Sequence, residues 1–176
     1  MSLRVAAALG VLDKLSEALI LGAALHDVGK VQLSPLLLAK EETLTDDDWK
    51  VIRTHPELGE EMLRGIDFLA PGLPVVRHHH ERWDGTGYPD RLAGEAIPLE
   101  ARIVAVADAF DAMVSDRPYR RAMPVKAACD EIARCAGTQF DPRCAATFVE
   151  LIRFSELTLG GMLRRRLRSD LLRRAS

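Results

Sequence analysis

Aromatic residues are scarce in this chain, 5 % of its 176 positions, with only 2 Trp and 2 Tyr. A core with so little aromatic mass must be filled by Leu, Ala and Val, with Met as the adaptable filler. Cysteine is sparse as well. Cys129, Cys135 and Cys144 form no C-x-x-C pair and no zinc-binding spacing. An odd count without a framework points to reduced thiols and a cytoplasmic protein. No apolar run is long enough to be an integral membrane segment. Leu19 to Leu25 is too short, and too far inside, for a signal peptide. The formal net charge is −2, so nothing pulls the chain as a whole toward a nucleic acid polymer or an anionic membrane. Repeats, low-complexity segments and alternating strand patterns are all missing, which leaves an all-α fold.

The helices can be placed from their punctuation. Leu3 to Leu25 reads as helix with a break at Asp13-Lys14, and Gly29 reads as its end signal. Thr45 before Asp46-Asp47-Asp48 is an N-cap with acids in the first turn. Pro56 restarts a helix after His55, and a further one runs from about Pro74 to Glu81. Pro98 opens a long helix through Ser115, Pro124 another that Gly137 closes, and Asp141-Pro142 a last one to about Phe154. The expected organisation is one domain over 1–155 and a basic amphipathic helix or tail over 156–176, read as a solvated surface helix. The abrupt Met1-Ser2-Leu3 start suggests that an N-terminal helix has been truncated.

Against this plain background the 5 histidines are concentrated: His26, His55 and the run His78-His79-His80. Neutral imidazole is a common transition-metal ligand. His26 is followed by Asp27 at the end of an apolar run, where a solvated pair is unexpected. Asp108 and Asp111 share one face of an apolar helix expected to be buried, so each carboxylate needs a metal, a hydrogen bond or an ion pair. Arg102 and Arg117 are the salt-bridge alternatives, and the pattern alone leaves the two readings even. A mixed nitrogen and oxygen set suits iron, manganese, zinc or nickel. Two such metals clamp a phosphoryl group and lower the pKa of a water between them. Lys30, Arg117, Arg120 and Arg121 supply phosphate-gripping cations, although Arg121 reads best as an ordinary loop arginine.

Taken together these motifs resemble the HD-GYP domains of the HD superfamily. His26-Asp27-Val28-Gly29-Lys30 resembles the HD signature and Thr54-His55-Pro56-Glu57 the middle histidine motif. His79-His80-Glu81-Arg82-Trp83-Asp84-Gly85-Thr86-Gly87-Tyr88-Pro89 is similar to the namesake motif. Val106 to Ala112, Ser115 to Arg120 and Gly137 to Pro142 resemble three later motifs, so the likeness covers roughly Ala23 to Leu151.

The resemblance implies an all-α HD-superfamily bundle with a metal centre in its core. It implies metal ligands His26, Asp27, His55, His79, His80 and Asp108, with Asp27 and Lys30 catalytic. Lys30, Tyr88, Arg117 and Arg120 would hold the substrate, and Asp111 would support the centre. Two or three divalent transition metals are implied, iron or manganese ahead of zinc or nickel. The implied activity is hydrolysis of cyclic di-GMP to linear pGpG and onward to GMP, in bacterial second-messenger signalling. GGDEF domains, an attached sensor or receiver domain and a second copy of the chain are the implied partners. The alternatives are hydrolysis of another nucleotide or phosphate ester, and a degenerate module that binds cyclic di-GMP or a GGDEF domain without turnover. The last is favoured by one departure: the family carries a further histidine on an upstream helix, and no histidine precedes His26 here.

Overall fold

The structure is a computed structural model that describes residues 1–40, 42–116 and 121–155. Arg117, Arg120 and the 156–176 segment lie outside the described residues. Helices α1 (Ser2–Ala8) and α2 (Leu12–Leu25) open the chain. A 3-10 turn, Val28–Gln32, leads to the short α3 (Pro35–Leu38), then α4 (Asp46–Ile52) and α5 (His55–Leu63). After a second 3-10 turn, Asp67–Gly72, come α6 (Leu73–His78), the long α7 (Leu99–Val114), α8 (Val125–Arg134) and α9, residues 142–155. Among the described residues there is no strand beyond an isolated bridge between Ala136 and Phe140. None of the described helices is long and apolar enough to cross a membrane.

The core is as poor in aromatics as the composition demands. Val5 and Ala6 of α1, Leu19 of α2, Val75 of α6 and Ile103, Val104 and Val106 of α7 meet Ile132 of α8 and Phe148 of α9. Phe148 is fully buried and packs on Phe110 with ring centroids 5.1 Å apart. None of the three cysteines is in a disulfide and all are buried in this core, and burial pushes the Cys144 thiol up to about 12, so Cys144 stays a small neutral hydrophobe.

Several boundaries differ from the sequence expectation. The N-terminal break lies at Leu9–Val11, with Gly10 at φ 73°, and Asp13 instead opens α2. Helix α6 stops at His78, so His79, His80 and Glu81 fall in the turn beyond it. Helix α7 is fully buried only at Ala101, Ile103, Val104 and Val106; Asp108 is half-buried and Asp111 exposed. The helix therefore forms a wall of the site. Its apolar outer positions misled the pattern because they cover the core from its edge.

Gly29 is not a left-handed helix terminus. It sits inside the 3-10 turn, where the turn crosses the start of α5 at backbone-to-backbone distance. A Cβ on Gly29 would come 2.0 Å from the His55 carbonyl oxygen and 2.5 Å from the Gly59 nitrogen. This crossing brings the His26-Asp27 pair against His55.

Candidate metal centre

Three elements converge on one point. Asp27 comes from the turn after α2, His55 from the first position of α5, and His79 and His80 from the turn after α6. One ligand atom from each of these four residues lies within 4.8 Å of the other three. Asp27 Oδ1 is 3.3 Å from His55 Nε2 and 3.8 Å from His79 Nε2. Asp27 Oδ2 is 2.6 Å from Lys30 Nζ and 3.6 Å from His26 Nε2. Asp108 closes the other side, its Oδ1 3.7 Å from His26 Nε2.

The imidazoles are oriented by backbone carbonyls behind them. His26 Nδ1 is 2.9 Å from the Ala23 carbonyl oxygen, His55 Nδ1 2.7 Å from that of Ile52, and His79 Nδ1 3.0 Å from that of Val76. A carbonyl can only accept, so in each ring Nδ1 carries the proton and a neutral ring presents a lone pair at Nε2. The Nε2 atoms of His55 and His79 face each other at 3.3 Å. Asp27 Oδ1 is buried beside them without a hydrogen-bond partner. Three acceptors thus converge with no donor among them. A divalent cation satisfies all three at once, and carbonyl-oriented imidazole is the usual outer support of a metal ligand. The donor set fits a metal, and the chemistry of its atoms excludes a thiolate zinc site.

The charges agree. Burial pushes the Asp27 carboxyl up, but the close approach of the His55 ring and the hydrogen bond from Lys30 outweigh it and hold the group well below the usual carboxylate range. Asp108 is likewise held low: burial raises it, and the His26 hydrogen bond outweighs that. Burial and the neighbouring imidazoles depress His79 to about 3 and His80 to about 4, so both rings are neutral near pH 7. His26 is raised instead, chiefly by Asp108. Arg102, one of the ion-pair alternatives for Asp108, pairs with Asp141 at 2.7 Å instead.

The loop that follows His80 is tied down from inside. The buried Glu81 carboxylate accepts the backbone N–H of Asp90 at 2.7 Å and of Leu92 at 3.2 Å. A Cβ on Gly87 would lie 2.4 Å from the Arg82 nitrogen, so the loop closes over its own start only with glycine there. The backbone N–H groups of Trp83 and Asp84 donate to the Gln139 and Thr138 carbonyls, which explains why the late motif around Gly137 accompanies this loop. The result is a fixed Tyr88. Its ring stacks on His80 at 4.9 Å between centroids, with the Arg53 guanidinium 5.6 Å over the ring. Burial pushes the Tyr88 hydroxyl up, so it remains a neutral donor.

A groove of about 740 Å³ opens at this point. Lys30, His55, His80 and Tyr88 line it together with Leu37, Leu38, Leu44, Trp49 and Ile52 and with the polar Lys40, Glu42 and Thr43. A smaller cavity of about 260 Å³ lies beyond Tyr88, bounded by His79, Asp108 and Gln139.

The structure therefore gathers His26, Asp27, Lys30, His55, His79, His80, Tyr88 and Asp108. Asp111 is exposed, and no described contact joins it to the cluster. His78 belongs to a separate group with Glu81 and Asp90. A cation is disfavoured there because Arg77 already grips both Asp90 oxygens at 2.7 Å. Arg53 and the Glu81 clasp were not singled out from sequence. Arg53 lies two residues before His55, but nothing local shows that its side chain reaches Tyr88.

Comparison with known proteins agrees with this geometry. The HD domain family profile matches residues 1–144. The cyclic di-GMP phosphodiesterase response regulator RpfG of Xanthomonas campestris pv. campestris is 46 % identical over 142 residues, 80 % of this chain and 38 % of that protein. The 3'3'-cGAMP-specific phosphodiesterase 3 of Vibrio cholerae is 37 % identical over 124 residues, 70 % of this chain and 27 % of that protein. Among solved structures, the HDG"Y"P protein Bd1817 of Bdellovibrio bacteriovorus superposes with a TM-score of 0.69 at 23 % identity, over 86 % of this chain and 49 % of that one. The chain belongs to the HD domain family. It spans less than half the length of these relatives.

Proposed function

We propose that this chain is a metal-dependent phosphodiesterase that hydrolyses cyclic di-GMP to linear pGpG. The observation that carries this is the partnerless Asp27 Oδ1 facing two imidazole lone pairs beside a groove roomy enough for a nucleotide. Asp27, His55, His79 and His80 would hold divalent metal, with His26 and Asp108 completing the shell; iron and manganese suit these donors best. When bound, the metal supplies Lewis-acid stabilisation of the phosphodiester and acidifies water.

The chain's own groups do the rest. Lys30 sits on the groove side of Asp27, held at 2.6 Å, so its ammonium can meet a phosphate oxygen or the departing oxygen. Water adds to phosphorus, the bond to the 3′ oxygen breaks, and that oxygen leaves with a proton. Tyr88 offers a neutral hydroxyl and a fixed ring, and Arg117 and Arg120 are assigned to the remaining phosphate contacts. The likeness to a 3'3'-cGAMP-specific enzyme favours one second reading, the mixed cyclic dinucleotide as substrate.

Cyclic di-GMP and 3'3'-cGAMP are to be assayed side by side with the manganese- or iron-loaded chain, with metal content measured on the same preparation. The expected result is cyclic di-GMP hydrolysis that a chelator abolishes and manganese restores. Turnover unaffected by metal removal would overturn the reading. Binding without turnover would identify a degenerate receptor module.

Tyr88→Ala is expected to weaken cyclic di-GMP binding while metal content stays that of the parent. The ring is half-exposed, and a lost aromatic stack costs only about 1 kcal/mol of folding stability. Titration and thermal melting check this; metal loss in the variant would show that Tyr88 props His80 instead of touching the ligand.

A further inference from the structure

Trp49 is the feature that the metal centre leaves unused. It is one of only 2 tryptophans, and it stands on α4 with 43 % of its surface exposed. Exposure alone is ordinary for a single apolar side chain, so the place of the ring is what matters. Trp49 lines the same groove as Lys30, His55, His80 and Tyr88, where Leu37, Leu38, Leu44 and Ile52 supply further apolar surface among the polar Lys40, Glu42 and Thr43. The position is rigid. Thr45 and Asp48 form a capping box at the start of α4, and Asp48 Oδ2 also takes Lys40 Nζ at 2.5 Å. Helix α4 ends at Ile52 and α5 begins at His55, so the groove wall runs from Trp49 to the metal-ligating imidazole through one short elbow.

A cyclic dinucleotide has two chemical ends. Its phosphodiesters need cations and donors, which Lys30 and Tyr88 offer. Its bases need flat apolar surface, which the Trp49 ring in the groove lining offers. Resting on the phosphodiesterase reading above, we propose that Trp49 is the shelf on which one purine base of the substrate stacks while its phosphodiester lies by Asp27 and Lys30. Stacking on an indole is indifferent to base identity, because every base has a π face. The shelf therefore sets affinity for purine cyclic dinucleotides as a class and does not choose between guanine and adenine.

Indole fluorescence reads this directly. Cyclic di-GMP and 3'3'-cGAMP are titrated into the full chain after chelator treatment, which stops turnover, and KM is measured separately on the manganese-loaded chain. Both nucleotides are expected to quench. The quench should survive Trp83→Phe, since Trp83 faces Arg102 away from the groove, and vanish in Trp49→Phe. Trp49→Ala should weaken both nucleotides by about tenfold or more in Kd and KM, while Trp49→Phe, which keeps a stackable ring, should weaken them much less. Melting curves identify any variant that fails to fold, and the phenylalanine variant then decides alone. A quench that persists in Trp49→Phe, Trp49→Ala binding within twofold of the parent, or a loss confined to one nucleotide overturns the shelf. A parent chain that neither binds nor cleaves either nucleotide overturns the phosphodiesterase reading instead, so the two failures are told apart.

Discussion

Asp27→Ala is expected to reduce cyclic di-GMP hydrolysis by about 10³-fold or more, beyond the 10- to 100-fold that loss of an outer-shell partner costs. The expectation comes from where the two oxygens stand. Oδ1 faces His55 and His79, and Oδ2 faces His26 and Lys30. The other carboxylate of the cluster, Asp108, has an ion-pair approach only to His26 among the described contacts. Removing Asp27 deletes the central anionic donor and leaves the Lys30 ammonium without its partner beside the imidazoles. The remaining set would be nitrogen-rich and would repel a divalent cation through Lys30. Asp27→Asn keeps the volume and removes the charge, so it should fail almost as completely. Turnover with saturating manganese and metal content by elemental analysis check both variants, and circular dichroism shows that they are folded. Parent-like metal content with turnover within tenfold of the parent would remove Asp27 from the centre of the site.

The gathering of the histidines around Asp27 was legible in the sequence because it depends on residue type and on motif. A chain with 5 histidines, each beside or near a carboxylate motif, has few other ways to use them. The resemblance then connected Asp27 to His55 and His79, which no local rule could pair. Helix α4 was legible as well, since Thr45 and the acids behind it act on their own backbone. What escaped was decided by tertiary approach. Glu81 looks like one more metal-site acid, yet its oxygens are spent on the Asp90 and Leu92 N–H groups. Arg53 and Trp49 look like ordinary surface residues of α4 and its exit until the groove between them and Tyr88 exists. Asp108 could have met Arg102 or His26, and only the packing of α7 shows that Arg102 is taken by Asp141.

Gly29→Ala should cost about 3 kcal/mol or more of folding stability, the upper range for inserting one methyl into a packed contact. The usual reason for a glycine after a helix, a positive φ, does not apply, as Gly29 is absent from the residues with such angles. The reason is contact. The new Cβ would meet the His55 carbonyl oxygen at 2.0 Å, its carbon at 2.9 Å and the Gly59 nitrogen at 2.5 Å. All three are backbone atoms, so no rotamer change can relieve the clash. Gly59 stands opposite for the same reason: a Cβ there would lie 3.2 Å from the Gly29 nitrogen and 3.0 Å from Val76 Cγ1. The turn must move off α5, and Asp27 moves with it. A shift near 1 Å would undo the 3.3 Å approach of Asp27 to His55, so metal affinity should fall together with stability. For a domain of this size each kcal/mol corresponds to about 2–4 °C, which predicts a melting point lower by roughly 10 °C. Thermal melting with and without chelator tests both halves of the expectation. In the parent a chelator should lower the melting point through loss of bound metal. In Gly29→Ala the melting point should already be low and respond little to chelator. A variant that melts within 2 °C of the parent, or keeps the parent's chelator response, would show that the turn can yield without disturbing the Asp27 to His55 approach.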